Sequence, residues 1–360
     1  MMKKLIKMSI IVVISLAFCL KVSADDYSDE QLQRFEDILP ESLSGITEDT
    51  DALLESLGIS ALAEEIIAII RHNSSRVIAL FLSCLGLGAL MALSASISNR
   101  LGRASLSALG AITSLTVFSY IGELFFSAKE NLTELCGFFS SAIPIFTAVS
   151  VSSGAVGTAS VQAMGMNFTL SLISGVGVGV MLLAVGMGLS LAMLSFFGDE
   201  RVGALSGSVS GFFKWLVGIS TTLIIATFSL QSVVASASDG VAMRAAKYAA
   251  SGMIPVVGGA VSGALSTLMA GLSYVRGIIG AGSVVAVVSI ALAPLVIMLL
   301  YRAALSLSGT LCALFDSGGA VKIFGAYKTA LDSLIAVYAL SACVILFEII
   351  LFMKSGVTVF

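Results

Sequence analysis

From Leu135 to Gly198 the chain runs for 64 residues without a charged side chain. A helix that crosses the hydrocarbon of a bilayer needs roughly 20 predominantly apolar residues, so this stretch has room for at least two crossings. Further uncharged runs occupy 77–99, 104–122, 215–238, 248–275, 277–301, 303–315 and 333–347. Only 11% of the residues are charged, against roughly 25% in soluble domains. The expected fold is therefore an all-α, polytopic membrane protein. The run at 303–315 is too short to cross. Eight crossings are expected, near 77–98, 105–127, 135–155, 167–196, 212–235, 250–273, 278–301 and 333–353.

Ahead of these runs the chain has a different character. Thirteen of its 22 acidic residues lie between Asp25 and Glu65, where Arg34 is the only basic residue. Before them, Lys3, Lys4 and Lys7 precede an apolar run from Met8 to Leu20 and a Val22-Ser23-Ala24 end. This is the three-part pattern of a secretory signal peptide cleaved after Ala24, with a retained anchor helix as the alternative. The expected organisation is a signal peptide at 1–24, an acidic amphipathic head outside the cytoplasm at 25–75, and a transmembrane domain at 76–360. In the head, Leu32, Phe35 and Leu39, then Leu54, Leu57, Ala61, Ile66 and Ile69, are spaced for helical faces. So thin a stripe cannot bury a core alone, and the head is expected to pack on the membrane surface or on a partner. Short cytoplasmic loops collect Lys and Arg. Eight crossings place Arg100, Arg103, Arg244, Lys247, Arg302, Lys322 and Lys328 inside, whereas Arg76 and Arg276 fit poorly.

Two segments share a layout. "SSAIPIFTAVSVSSGAVGTA" at 140–159 and "ASGMIPVVGGAVSGALSTLM" at 250–269 each carry Ile-Pro followed by a tract of small residues. With eight crossings, the halves around them form an inverted-topology repeat. Proline removes a backbone donor and clashes with the preceding turn. Paired broken helices in corresponding halves point to a central pathway, which makes Pro144, Pro255, Gly258 and Gly259 candidate pathway or helix-break positions. Close packing of small residues is the competing reading. If the proline segments re-enter instead of crossing, Arg244 and Lys247 move outside, against the charge rule. The glycine run "SGVGVGVMLLAVGMG" at 174–188 follows no strand, so it reads as a helix contact and not a dinucleotide site.

Nothing in the chain assembles a catalyst. The single histidine, His72, lies between Arg71 and Asn73 in a polar stretch. No HExxH, GxSxG, GxGD or P-loop motif occurs. Cys84, Cys136, Cys312 and Cys343 form no CxxC pair and read as small buried apolar residues. No enzyme activity, cofactor, metal or nucleic-acid partner is expected. Two acids stand inside apolar context, Glu123 in "YIGELFF" and Glu348 in "ILFEIILF". An intramembrane carboxylate is a functional candidate because its charge is costly there. Alternatively, Glu348 reaches toward the interface near Lys354. Lys214 and Trp215 read as an interfacial anchor.

Taken together, the signal peptide, the acidic head, the polytopic body and above all "KYAASGMIPVVGGAVSGALSTL" at 247–268 resemble stage III sporulation protein AE of endospore-forming bacteria. The resemblance implies a membrane core subunit of the secretion-like channel complex between mother cell and engulfed forespore, required for late forespore gene expression. It implies a place in the mother-cell membrane around the forespore. It also implies partners among the other membrane subunits of the same operon, including an ATPase, and a forespore channel partner. It supplies no catalytic residues. The competing function class is a stand-alone secondary transporter or permease with inverted-repeat topology. Neither proline segment carries the charge that ion coupling normally uses, which favours the first.

Overall fold

The computed structural model describes residues 59–97, 100–152, 156–194, 208–209, 211–213, 215–231 and 258–354. Apart from Ile97 and the turn at 315–317, the described residues are helical. We number the helices α1 (Ile59–Ser96), α2 (Arg100–Ser152), α3 (Val156–Leu172), α4 (Leu182–Leu194), α5 (Gly211–Gln231), α6 (Gly258–Leu314) and α7 (Gly318–Lys354). A nine-residue π-helical segment, Ile173–Met181, joins α3 to α4 without a break. The expected signal peptide, most of the expected acidic head, and Pro255 lie outside the described residues.

Six described helices are long and apolar enough to cross a membrane: Leu62–Ser96, Ser105–Ser152, Val156–Gly179, Gly211–Gln231, Val275–Leu314 and Gly318–Lys354. Eight were expected, and the difference comes from two mergers. The expected spans at 105–127 and 135–155 belong to one helix, α2. Most of 250–273 and all of 278–301 belong to α6. At 1.5 Å per residue these helices are about 80 and 85 Å long, far more than the roughly 30 Å of hydrocarbon.

The first merger has a plain physical reason. Lys129, Glu130 and Glu134 mark a loop if charge is the only guide. In α2 they occupy the exposed face, while Ala128, Leu132, Leu135 and Phe139 continue a buried stripe that starts at Val117, Ile121 and Leu124. Steps of three and four residues keep that stripe on one helical face, so the charges need no break. Pro144 does not end the helix either: α2 runs through it to Ser152. The expected boundary between head and body at 75–76 falls inside α1, where Asn73 donates to the Ile69 carbonyl oxygen at 3.0 Å.

The two proline-containing tracts continue differently. After Pro144, α2 stops at Ser152 and a new helix opens at Val156, whereas the tract that follows Pro255 runs from Gly258 straight through 278–301. Among the described residues the halves show no matching layout.

The last two helices form an antiparallel hairpin. Asp316 occupies the left-handed region at φ 55°, which a short polar side chain tolerates. The Ser317 N–H donates back to the Cys312 carbonyl oxygen at 3.1 Å, closing α6 with a Schellman-type cap. Along the hairpin, Arg302 of α6 pairs with Asp332 of α7, and Lys328 Nζ donates to Ser306 Oγ at 3.1 Å. On another side of α7, the Tyr327 hydroxyl donates to the Ser114 carbonyl oxygen of α2 at 2.9 Å. Helix α1 lies on α2 and α6 along Leu80, Cys84 and Met91, and leaves Ile78, Leu82, Leu90 and Leu93 exposed. An apolar outer face suits contact with lipid.

Close approach rests on glycines outside the glycine-rich run. A Cβ on Gly88 would overlap Cys312, one on Gly165 would overlap Gln231, and one on Gly280 would overlap Met353. By contrast, a Cβ on Gly177, Gly186 or Gly188 would find its nearest neighbour at 3.7–3.8 Å, an ordinary contact. The run at 174–188 is therefore not where the helices come closest; three of its glycines lie in or beside the π-helical turn.

Merging the expected spans changes sidedness. Among the described residues three candidate spans, not four, fall between positions 103 and 244 of the sequence. Reporters fused after these residues should lie on opposite faces of the membrane, as checked by paired phosphatase and fluorescent-protein fusions. Reporters on the same face would restore the four-crossing count.

Candidate functional site: a buried carboxylate where three helices meet

Of the two acids singled out in the sequence, the structure draws only Glu348 into the interior. Its residue is 0% exposed, and it lies on α7 in a buried row with Ser341, Ile345 and Phe352. It does not reach outward toward Lys354. Its Oε1 accepts a hydrogen bond from Thr169 Oγ1 of α3 at 2.7 Å and another from Gln231 Nε2 of α5 at 3.2 Å. Thr169 and Gln231 are themselves buried.

Local sequence places each donor. In α3, Thr158, Gln162, Gly165, Met166 and Thr169 are buried, and their spacing of three and four residues forms one stripe. Gly165 lies one turn before Thr169, and the missing side chain is the space Gln231 fills. Gln231 closes α5, where Phe228 packs on Phe347 of α7 at a ring-centroid distance of 4.6 Å. That aromatic contact and the Gln231–Glu348 hydrogen bond fasten α5 to two adjacent positions of α7.

One turn beyond Glu348, Phe352 stacks on Phe146 of α2, with centroids 4.3 Å apart and planes at 24°. The guanidinium of Arg276, a buried residue of α6, sits 5.3 Å from the centre of the Phe352 ring. A cation over an aromatic face is attracted by the ring quadrupole, the more so when desolvated. Arg276, which fits no loop in the sequence, thus has an interior place.

The other sequence candidates lie elsewhere. Pro144 is exposed on α2, on the side away from buried Ile143 and Phe146. Gly258 and Gly259 open α6. Glu123 is exposed on α2 and, with Arg76 and Tyr120, lies within electrostatic reach of Tyr301. His72 is exposed on α1. Among the described residues no three His, Cys, Asp or Glu side chains gather as metal ligands.

Thr169, Gln162 and Gln231 escape a sequence search that follows charge. For Gln162 and Thr169 the signal is helical spacing, since with Thr158 they are buried polar residues four and seven apart on one face of α3; Gln231 carries no such signal.

The family described as stage III sporulation protein AE matches residues 50–356. The chain belongs to that family. The match covers every described helix of the body, the Glu348 cluster included. Neither the curated proteins nor the solved structures yield a match. Membership in the family makes this a sporulation protein, and the six long apolar helices among its described residues make it a multi-pass membrane protein in that setting.

The cluster predicts graded losses. Glu348→Leu strands the Thr169 hydroxyl and the Gln231 amide, each buried donor costing roughly 1–3 kcal/mol when unsatisfied. Glu348→Gln keeps an acceptor oxygen and should cost less. Thermal melting of the purified protein in detergent should rank wild type above Glu348→Gln above Glu348→Leu. Equal melting of all three would show that the carboxylate does not join the helices.

Proposed function

We propose that the chain is a non-catalytic membrane core subunit of the channel, or secretion-like complex, that links mother cell and forespore. In this reading it sits in the mother-cell membrane around the forespore and supports late forespore gene expression. Its partners are the other membrane subunits of the same operon, an ATPase that supplies energy, and a forespore channel partner. The acidic head at 25–75 faces the space between the two membranes once the signal peptide is removed.

The observation that carries this proposal is the family match across residues 50–356. The fold is compatible with it in a specific way. Apart from the exposed apolar face of α1, the described body also exposes Ile112, Leu115 and Phe126 of α2 and Leu307 and Leu314 of α6. Helices of about 80 Å that outrun the bilayer offer surface beyond the membrane for other subunits.

Deleting the gene should leave engulfment complete but abolish a late forespore reporter, and the full-length chain supplied in trans should restore it. The chain should also co-purify with the operon's ATPase from sporulating cells. A reporter unaffected by the deletion would contradict the proposal. Function that persists without the ATPase would favour a stand-alone permease.

A further inference from the structure

We propose that the Glu348 cluster is a binding site for one small monovalent metal cation, of the size and hardness of Na⁺, held between α7 and α5. Glu348 Oε1 receives both hydrogen bonds, and Oε2 of the same carboxylate has no hydrogen-bond partner. Gln231 donates through Nε2, and its Oε1 likewise has no hydrogen-bond partner. Both side chains are more than nine-tenths buried. Each bare oxygen shares its carbon with one of the two atoms in contact, Oε1 of Glu348 and Nε2 of Gln231.

While Glu348 is ionised, its Oε2 and the amide Oε1 are both acceptors and cannot satisfy each other. Each buried polar group left without a partner carries a desolvation cost. A cation satisfies both at once and balances the single negative charge of the carboxylate. One carboxylate and one amide oxygen form an all-oxygen pair that suits a hard ion and not a thiolate- or imidazole-seeking metal. A single negative charge suits a monovalent ion. The donor geometry also holds the amide in one orientation, because Nε2 is committed to Glu348 and Oε1 is the atom left to face the ion. Gly165 contributes by admitting the Gln231 side chain at all.

The test uses the full-length chain purified in detergent, with NaCl exchanged for choline chloride at constant ionic strength. Na⁺ should raise the melting temperature saturably, by a few degrees, and radioactive Na⁺ should bind at one site per chain. Gln231→Leu and Glu348→Gln should remove the salt-specific shift. Thr169→Val removes a hydrogen bond but neither bare oxygen, so its melting temperature should fall while the Na⁺ shift remains. If the Glu348 and Gln231 variants fail to accumulate, Na⁺ binding to wild type decides alone. No saturable binding and no difference between Na⁺ and choline would overturn the proposal and leave water as the partner of both oxygens. Stabilisation by falling pH without any Na⁺ effect would overturn it in favour of a proton. A Na⁺ shift that survives in Gln231→Leu and Glu348→Gln would place the ion elsewhere and overturn it as well.

Discussion

A carboxylate carried into an apolar helical body has to be met by donors, and α7 is where this requirement organises the structure. Glu348 cannot be left to hydrocarbon, because an ionisable group there is costly. Two other helices supply what it needs, Thr169 from α3 and Gln231 from α5. The same helix meets α2 through Tyr327 and α6 through Asp332. Between bilayer helices the hydrophobic effect supplies little drive to associate, so packing and polar contacts decide which faces meet. α7 makes polar contacts with four other helices and is accordingly among the most enclosed of the six candidate spans.

Close packing completes what the polar contacts select. Gly88, Gly165 and Gly280 each lie where an added Cβ would strike a side chain of another helix. One of these, Gly165, lies beneath the polar cluster, so close approach and hydrogen bonding depend on the same position. The π-helical turn from Ile173 to Met181 follows Thr169 within one helical turn. Its extra residue per turn sets the angular position of α4 relative to α3, and α4 in turn packs on α7. Glycine at 175, 177 and 179 fits this role better than the close contact its pattern suggests.

Much of the architecture was legible because charge is so rare in the chain. Its membrane character and helical class follow from the uncharged runs, as do the starts of the spans at Ser105, Gly211 and Val275, and Glu348 stands out in "ILFEIILF". The same reliance on charge produced the two extra crossings. Lys129, Glu130 and Glu134 looked like a loop, although the apolar steps from Val117 through Leu135 to Phe139 already described one unbroken face. Arg276 similarly looked like a boundary, yet Phe352, distant in sequence, gives it an interior partner. Thr169 and Gln231 were hidden because a neutral polar residue in a membrane helix has no local sign of what it will meet. Only the packing of α3 and α5 on α7, a long-range property, turns them into donors. Pro255 and the residues before it, back to 232, lie outside the described residues.

The central claim is that α5 docks on α7 and so brings Gln231 to Glu348. Its most direct measurement is thiol crosslinking in native membranes, using a chain whose native cysteines are replaced and which carries Phe228→Cys and Phe347→Cys. These rings lie 4.6 Å apart, and both positions are partly accessible. A short bis-maleimide should join them within one chain in high yield, while Ser229→Cys paired with Phe347→Cys, turned to another face of α5, should react poorly. Equal yields from the two pairs, or no crosslink at 228–347, would contradict the docking of α5 on α7.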